Sequence, residues 1–121
     1  MTNPVMPMKP TLPLWFALLL LAAAGTAQAA GNVPAGREKA RMCEACHGLD
    51  GRSRMPEAPN LAGQVEGYLA AQLTAFKSGQ RRNEQMAVIV QALTPQQIDD
   101  LAAYYAAIEV TVGKIPGEPG R

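Results

Sequence analysis

The chain has 121 residues, 48% of them apolar and 5% aromatic, and eleven basic against ten acidic side chains leave a formal net charge of +1. One small domain fits this length, and neither the basic footprint of a nucleic-acid binder nor the acidic, low-complexity character of a disordered chain is present. With two cysteines and one histidine, a three-histidine zinc site is excluded and any catalytic triad would have to use His47.

The first element is not part of the folded domain. Residues Met1 to Pro13 are proline-rich, with Lys9 as the one cation, and lead into an apolar run from Leu14 to Ala24. That run is about half of the roughly 20 residues a membrane-spanning helix needs, and Ala27-Gln28-Ala29 supplies the small-x-small pattern of a signal-peptidase site. Residues 1–29 are therefore predicted to be a secretory signal peptide, the alternative being an uncleaved anchor if the apolar count is stretched to Ala30. Cleavage removes Lys9 and leaves acidic and basic residues equal in number, with a domain over residues 30–112 and a flexible tail over 113–121. The aromatics that remain are Tyr68, Phe76, Tyr104 and Tyr105. So thin a supply, in a domain this small, points to a centre filled by something other than side chains.

Gly31 to Pro34 is predicted to be a short flexible lead. From Ala35 the good helix formers of Gly36-Arg37-Glu38-Lys39-Ala40-Arg41-Met42-Cys43 predict a helix ending at or just past His47-Gly48, with Gly36, Ala40 and Cys43 on one face. Leu49 to Gly63 holds glycine, proline, serine and asparagine throughout and is predicted to be a long, functional loop. In the next helix Val65, Tyr68, Leu69, Gln72, Leu73 and Phe76 recur at helical spacing, and Gly79 stops it. Gln80 to Gln91 is predicted to be a loop holding Met86, followed by a short apolar turn through Ala87-Val88-Ile89-Val90. Thr94-Pro95-Gln96-Gln97 then presents a capping threonine, a proline at the first helical position and a glutamine at the third. The last helix runs to about Ile108, with Ile98, Leu101, Ala102, Tyr105 and Ile108 inward, before the frayed tail from Gly113. No strand pattern or internal repeat appears, so the fold class is all-α.

Cys43-Glu44-Ala45-Cys46-His47 is the C-x-x-C-H signature of covalent haem attachment. Two thiols three residues apart at a helix end can bond the two vinyl groups on one porphyrin edge, and the next residue then offers its imidazole to iron. Three other readings compete for these residues. A thioredoxin-type pair sits at a helix start after a strand, and no strand precedes it here. A zinc site needs a fourth ligand. A disulfide between Cys43 and Cys46 leaves His47 unexplained and closes too small a loop to contribute much stability.

With this motif stand Pro59-Asn60-Leu61-Ala62-Gly63-Gln64, then Tyr68-Leu69-x-x-Gln72-Leu73-x-x-Phe76-Lys77-x-Gly79, Met86, and Leu101-Ala102-Ala103-Tyr104-Tyr105. In this order the motifs resemble a class I c-type cytochrome, most closely one half of the two-haem bacterial periplasmic cytochromes. The resemblance spans Gly36 to about Ile108. It implies a small cytochrome c fold of about three to five helices wrapped around one haem c, attached through Cys43 and Cys46, with His47 and a methionine on iron. Met86 matches the family's position for that methionine. Met42 shares a helix with the attachment site and is assigned to packing, while Met55 has the chain length to reach iron and stays as an alternative. Pro59 matches the proline whose carbonyl accepts from the histidine's outer nitrogen. The resemblance also implies a close crossing of the first and last helices, with Gly36 and Ala40 facing Leu101 and Tyr104 or Tyr105.

The function so implied is periplasmic electron transfer rather than enzymatic catalysis. Two axial ligands leave no open position on iron, and the thioether raises the potential relative to a bis-histidine haem. Its partners would be a redox donor and an acceptor, with no nucleic acid and no small-molecule substrate, and with transient docking on a membrane complex as one setting. Lys77, Arg81 and Arg82, with Arg52 and Arg54, form either a positive docking rim or an ordinary solvated face, and Ala87 and Val88 are candidates for the apolar docking edge. Two alternatives remain: a haem-bearing subunit of a larger dehydrogenase or oxidase complex, and a haem enzyme or ligand binder with an open axial site.

Overall fold

The computed structural model describes residues 30–117. The signal peptide predicted over 1–29, and the last part of the tail, lie outside the described residues. Five α-helices follow one another, with no strand among the described residues. They are α1 (Val33–Lys39), α2 (Glu44–His47), α3 (Glu66–Lys77), α4 (Glu84–Ile89) and α5 (Pro95–Ala106).

The lead predicted to be flexible is instead a helix start. Asn32 accepts a hydrogen bond from the Ala35 N–H at 2.9 Å, and Pro34 occupies the first turn of α1, where a missing N–H costs nothing. The single helix predicted from Ala35 to His47 is divided. Residues Ala40–Met42 tighten into a 3-10 turn, Cys43 caps the short α2 that carries Cys46 and His47, and Gly48 ends it at φ 73°. The long loop is observed, and it is ordered by hydrogen bonds. Gly51, at φ 69°, offers its carbonyl to the N–H groups of Leu61 and Ala62, while the Arg54 N–H returns to the Cys46 carbonyl at 2.8 Å.

The predicted loop around Met86 is also corrected. Asn83 accepts from the Met86 N–H at 2.9 Å, Glu84 places a negative charge in the first turn, and α4 forms with Met86 in that turn. A 3-10 turn, Val90–Ala92, follows directly. The predicted cap of α5 is present as a complete capping box: Thr94 accepts from the Gln97 N–H, and the Gln97 side chain accepts from the Thr94 N–H. Such caps contribute about 1 kcal/mol each.

The core gathers on α5. Ile98, Leu101, Ala102 and Tyr105 are buried as expected, together with Leu69 and Phe76 of α3 and with Val90 and Leu93. Ile108 lies past the helix end and is only half-buried. Ala103, Tyr104 and Asp100 are buried as well, because α1 lies directly across this face of α5. A Cβ on Gly36 would stand 2.8 Å from the Tyr104 Cβ and would collide with the Asp100 carbonyl. Asp100 makes the crossing polar: it accepts from the Asn32 N–H at 2.8 Å and from Gln96 Nε2 at 2.9 Å. The buried carboxylate thus holds the start of α1 against the middle of α5.

Candidate functional site

The site is built on the short turn that ends in Gly48. Cys43 and Cys46 are free, half-buried thiols, and His47 is only 7% exposed. The His47 Nδ1 lies 2.9 Å from the Pro59 carbonyl. A carbonyl only accepts, so Nδ1 carries the proton and the lone pair sits on Nε2, the nitrogen then free to bind a metal. The long loop exists in part to supply this acceptor, for its ties to Gly51 and Cys46 fold it back over α2.

Two tyrosines of α5 complete the frame. Tyr104 donates to the Leu49 carbonyl at 2.6 Å and Tyr105 to the Gly48 carbonyl at 3.3 Å, so the residues that end α2 are fixed from the core side. Their rings tilt against each other with centroids 5.1 Å apart. Sequence reasoning gave these residues a packing role and missed the hydroxyl contacts, because the carbonyls they meet are more than fifty residues away in the chain. Burial pushes the Cys43 thiol from its ordinary 9.0 up to about 11, a hydrogen bond with Tyr105 works against the rise, and the nearby Cys46 adds to it. Burial, and then Cys43 itself, raise the Tyr105 phenol too.

The direction of the Cys43 shift and the helical setting both bear on the chemistry. A thioredoxin-type centre needs a thiol lowered toward neutrality and a strand before it; Cys43 is shifted the other way and no described strand precedes it. Among the described residues no group of three or more His, Cys, Asp and Glu is arranged to hold a metal ion by itself. Two free thiols beside an imidazole with Nε2 available are the donor set that a haem bonded through thioethers and ligated by histidine would need. The apolar surroundings suit a porphyrin face: Cys43, Leu61, Leu73 and Met86 are all half-buried against the core cluster.

The three methionines occupy different environments. Met42 is half-buried against the core just before Cys43. Met55 lies in the loop that folds over the His47 side, its carbonyl accepting from the Ser53 hydroxyl. Met86 sits on α4, in a different part of the chain from the His47 turn, and packs on the same core cluster as Cys43. The positive residues do not form one free rim. Arg54 is paired with Asp50 at 3.1 Å, Arg81 donates to Gln72 Oε1 at 2.7 Å and covers the Phe76 ring, and Lys77 points inward to backbone carbonyls. Arg52, Arg54, Arg81 and Arg82 are all exposed. Val88 is 73% exposed on α4.

Fold and site together define a helical haem-binding protein, and comparison with known proteins identifies its family. The chain matches the cytochrome c family over residues 33–108, and it belongs to that family, whose cofactor is a covalently attached haem c. It is 45% identical over 96 residues to cytochrome c4 of Pseudomonas aeruginosa, a match covering 79% of this chain and 48% of that protein. Cytochrome c-554(548) of Halomonas halodenitrificans is 41% identical over 83 residues, which cover 66% of this chain and 100% of that protein. The crystal structure of reduced recombinant cytochrome c4 from Pseudomonas stutzeri superimposes with a TM-score of 0.64 at 39% identity, covering 69% of this chain and 49% of that one. The chain thus spans about half the length of the cytochrome c4 relatives it matches.

Proposed function

We propose that this protein carries single electrons on one haem c, held by thioethers at Cys43 and Cys46 and ligated by His47 Nε2 and the Met86 thioether. The observation that carries the reading is the buried His47 with Nδ1 held 2.9 Å from the Pro59 carbonyl, one residue beyond two free thiols. When bound, haem supplies an iron that changes oxidation state by one electron. The residues of the chain do the rest. Pro59 fixes the imidazole plane and, by accepting from Nδ1, makes Nε2 a stronger donor. The two cysteines make the cofactor permanent. Tyr104 and Tyr105 hold the end of the attachment turn, and Leu61, Leu73 and Phe76 supply apolar cover that limits water.

Spectroelectrochemical titration of the purified protein, matured with the haem-attachment machinery, tests this reading. A single one-electron wave is expected, with low-spin iron in both states and no prompt binding of carbon monoxide by the ferrous form. High-spin ferric iron and immediate carbon monoxide binding would instead identify the open-site enzyme or ligand binder.

A haem-bearing subunit of a larger dehydrogenase or oxidase complex is the second reading, and the name of one relative bears on it. The chain is 41% identical over 73 residues, 59% of this chain and 33% of that protein, to a protein of Thiomonas intermedia named a thiosulfate dehydrogenase electron acceptor. Delivery of electrons to or from a dehydrogenase would use the same haem and the same ligands. The apolar run and Ala27-Gln28-Ala29 support export and a periplasmic location. N-terminal sequencing of the protein recovered from that compartment is expected to begin at Ala30; a start at Met1 or Thr2 would assign a retained anchor.

A further inference from the structure

Lys77, read from the sequence as part of a docking rim or of a solvated face, has a different place in the structure. Its ammonium donates to the Gln91 carbonyl at 3.0 Å and to the Val90 carbonyl at 3.3 Å. Gln91 answers, its Nε2 donating to the Lys77 carbonyl at 3.3 Å. The two residues therefore clasp the C-terminal end of α3 to the 3-10 turn that continues α4. Carbonyls at a helix end carry partial negative charge, which favours a cation there, and a charged donor strengthens each bond.

The clasp reaches Met86 through one buried residue. Val90 is fully buried, and its N–H donates to the Met86 carbonyl. On the other side the Met86 N–H is held by Asn83 Oδ1 at 2.9 Å. The backbone of Met86 is thus fixed from both directions, by the cap before it and by the Lys77–Gln91 clasp behind it. Arg81, in the connection between α3 and α4, is occupied with Gln72 and Phe76, and Arg82 is exposed.

We infer that Lys77 and Gln91 are positioning residues for the axial methionine, holding the Met86 segment so that its thioether resists displacement from iron. The inference rests on the reading of Met86 as a ligand. Two charge-assisted bonds are lost when Lys77 becomes methionine, a side chain of similar length without a donor.

The test uses the ferric holoprotein and imidazole as the displacing ligand, followed by the sulfur-to-iron charge-transfer band in the red. In Lys77→Met the imidazole association constant is expected to rise about tenfold, the effect of weakening the held state by roughly 1.4 kcal/mol. Lys77→Arg, which keeps a cationic donor, should restore most of the parent's resistance, and Arg82→Gln, which removes an equal charge, should leave the constant unchanged. A lower unfolding midpoint in Lys77→Met with an unaltered imidazole constant would make the clasp a fold contact only and overturn the inference. Equal rises in Lys77→Met and Arg82→Gln would also overturn it, in favour of a charge effect. A parent band that survives Met86→Ala would refute the ligand reading and the inference with it; loss of that band while Lys77→Met behaves as parent would refute the inference alone.

Discussion

Replacing Met86 with alanine is expected to turn a low-spin, closed haem protein into one with an exchangeable axial position. Alanine carries no donor, so the sulfur-to-iron band should vanish and the ferric iron should become high-spin or take up water, cyanide or imidazole. The reduction potential should fall by roughly 0.2–0.4 V, a quarter to a half of the range of about 0.8 V that axial ligation covers, because the thioether favours ferrous iron. Covalent attachment should be untouched, since Cys43 and Cys46 lie in a different segment from α4. The parallel variant Met55→Ala should leave spectrum and potential near those of the parent, as Met55 belongs to the loop folded over the His47 side. If Met55→Ala removes the band and Met86→Ala keeps it, the assignment of the two methionines is reversed. Optical spectra and potentiometry on the two holoproteins decide the matter.

The second large effect is expected at the helix crossing. In Gly36→Val the new Cβ would fall 2.6 Å from the Asp100 carbonyl carbon and 2.8 Å from the Tyr104 Cβ. Neither is the loose end of a flexible side chain. Helix α1 must move away from α5, and the hydrogen bond from the Asn32 N–H to Asp100, 2.8 Å in the native protein, would stretch with it. Overpacking of this kind costs about 3 kcal/mol, against total stabilities of roughly 5–15 kcal/mol for small domains. At about 4–8 °C per kcal/mol, Tm should drop by roughly 10–25 °C. Gly67→Ala is the control: nothing lies within 4 Å of its added Cβ, and in the helical backbone of α3 it should be neutral or stabilising by up to about 1 kcal/mol. Thermal unfolding of both variants followed by circular dichroism checks the pair, and equal Tm values would show that the crossing is not tight.

What could be read in the chain beforehand was what is encoded locally. The C-x-x-C-H run, the Thr94–Gln97 capping box and the glycine stop at Gly79 each depend on a few neighbouring residues, and the structure contains all three. The helix holding Met86 was hidden because its apolar residues, Met86 to Ile89, are contiguous rather than periodic. Asn83-Glu84 was its legible signal, an N-cap followed by an acid. Pro34 reads as part of a flexible lead, and Asn32 two residues before it is the signal that marks a helix start. Contacts between distant segments had no local signal. Asp100 follows Asp99 in a stretch that looks solvent-facing, yet it is 7% exposed, because α1 covers it. Lys77 looked like one charge among several until the Val90 and Gln91 carbonyls came within reach.

Everything proposed for this protein depends on Cys43 and Cys46 holding a haem covalently. The most direct measurement is an intact mass of the matured protein after acid-organic extraction, which removes haem that is not bonded to the chain. The predicted result is the mass of the chain from Ala30 plus one haem, with Cys43→Ser/Cys46→Ser giving the bare chain. A wild-type mass without haem, or one lowered by two hydrogens for a Cys43–Cys46 disulfide, would contradict it.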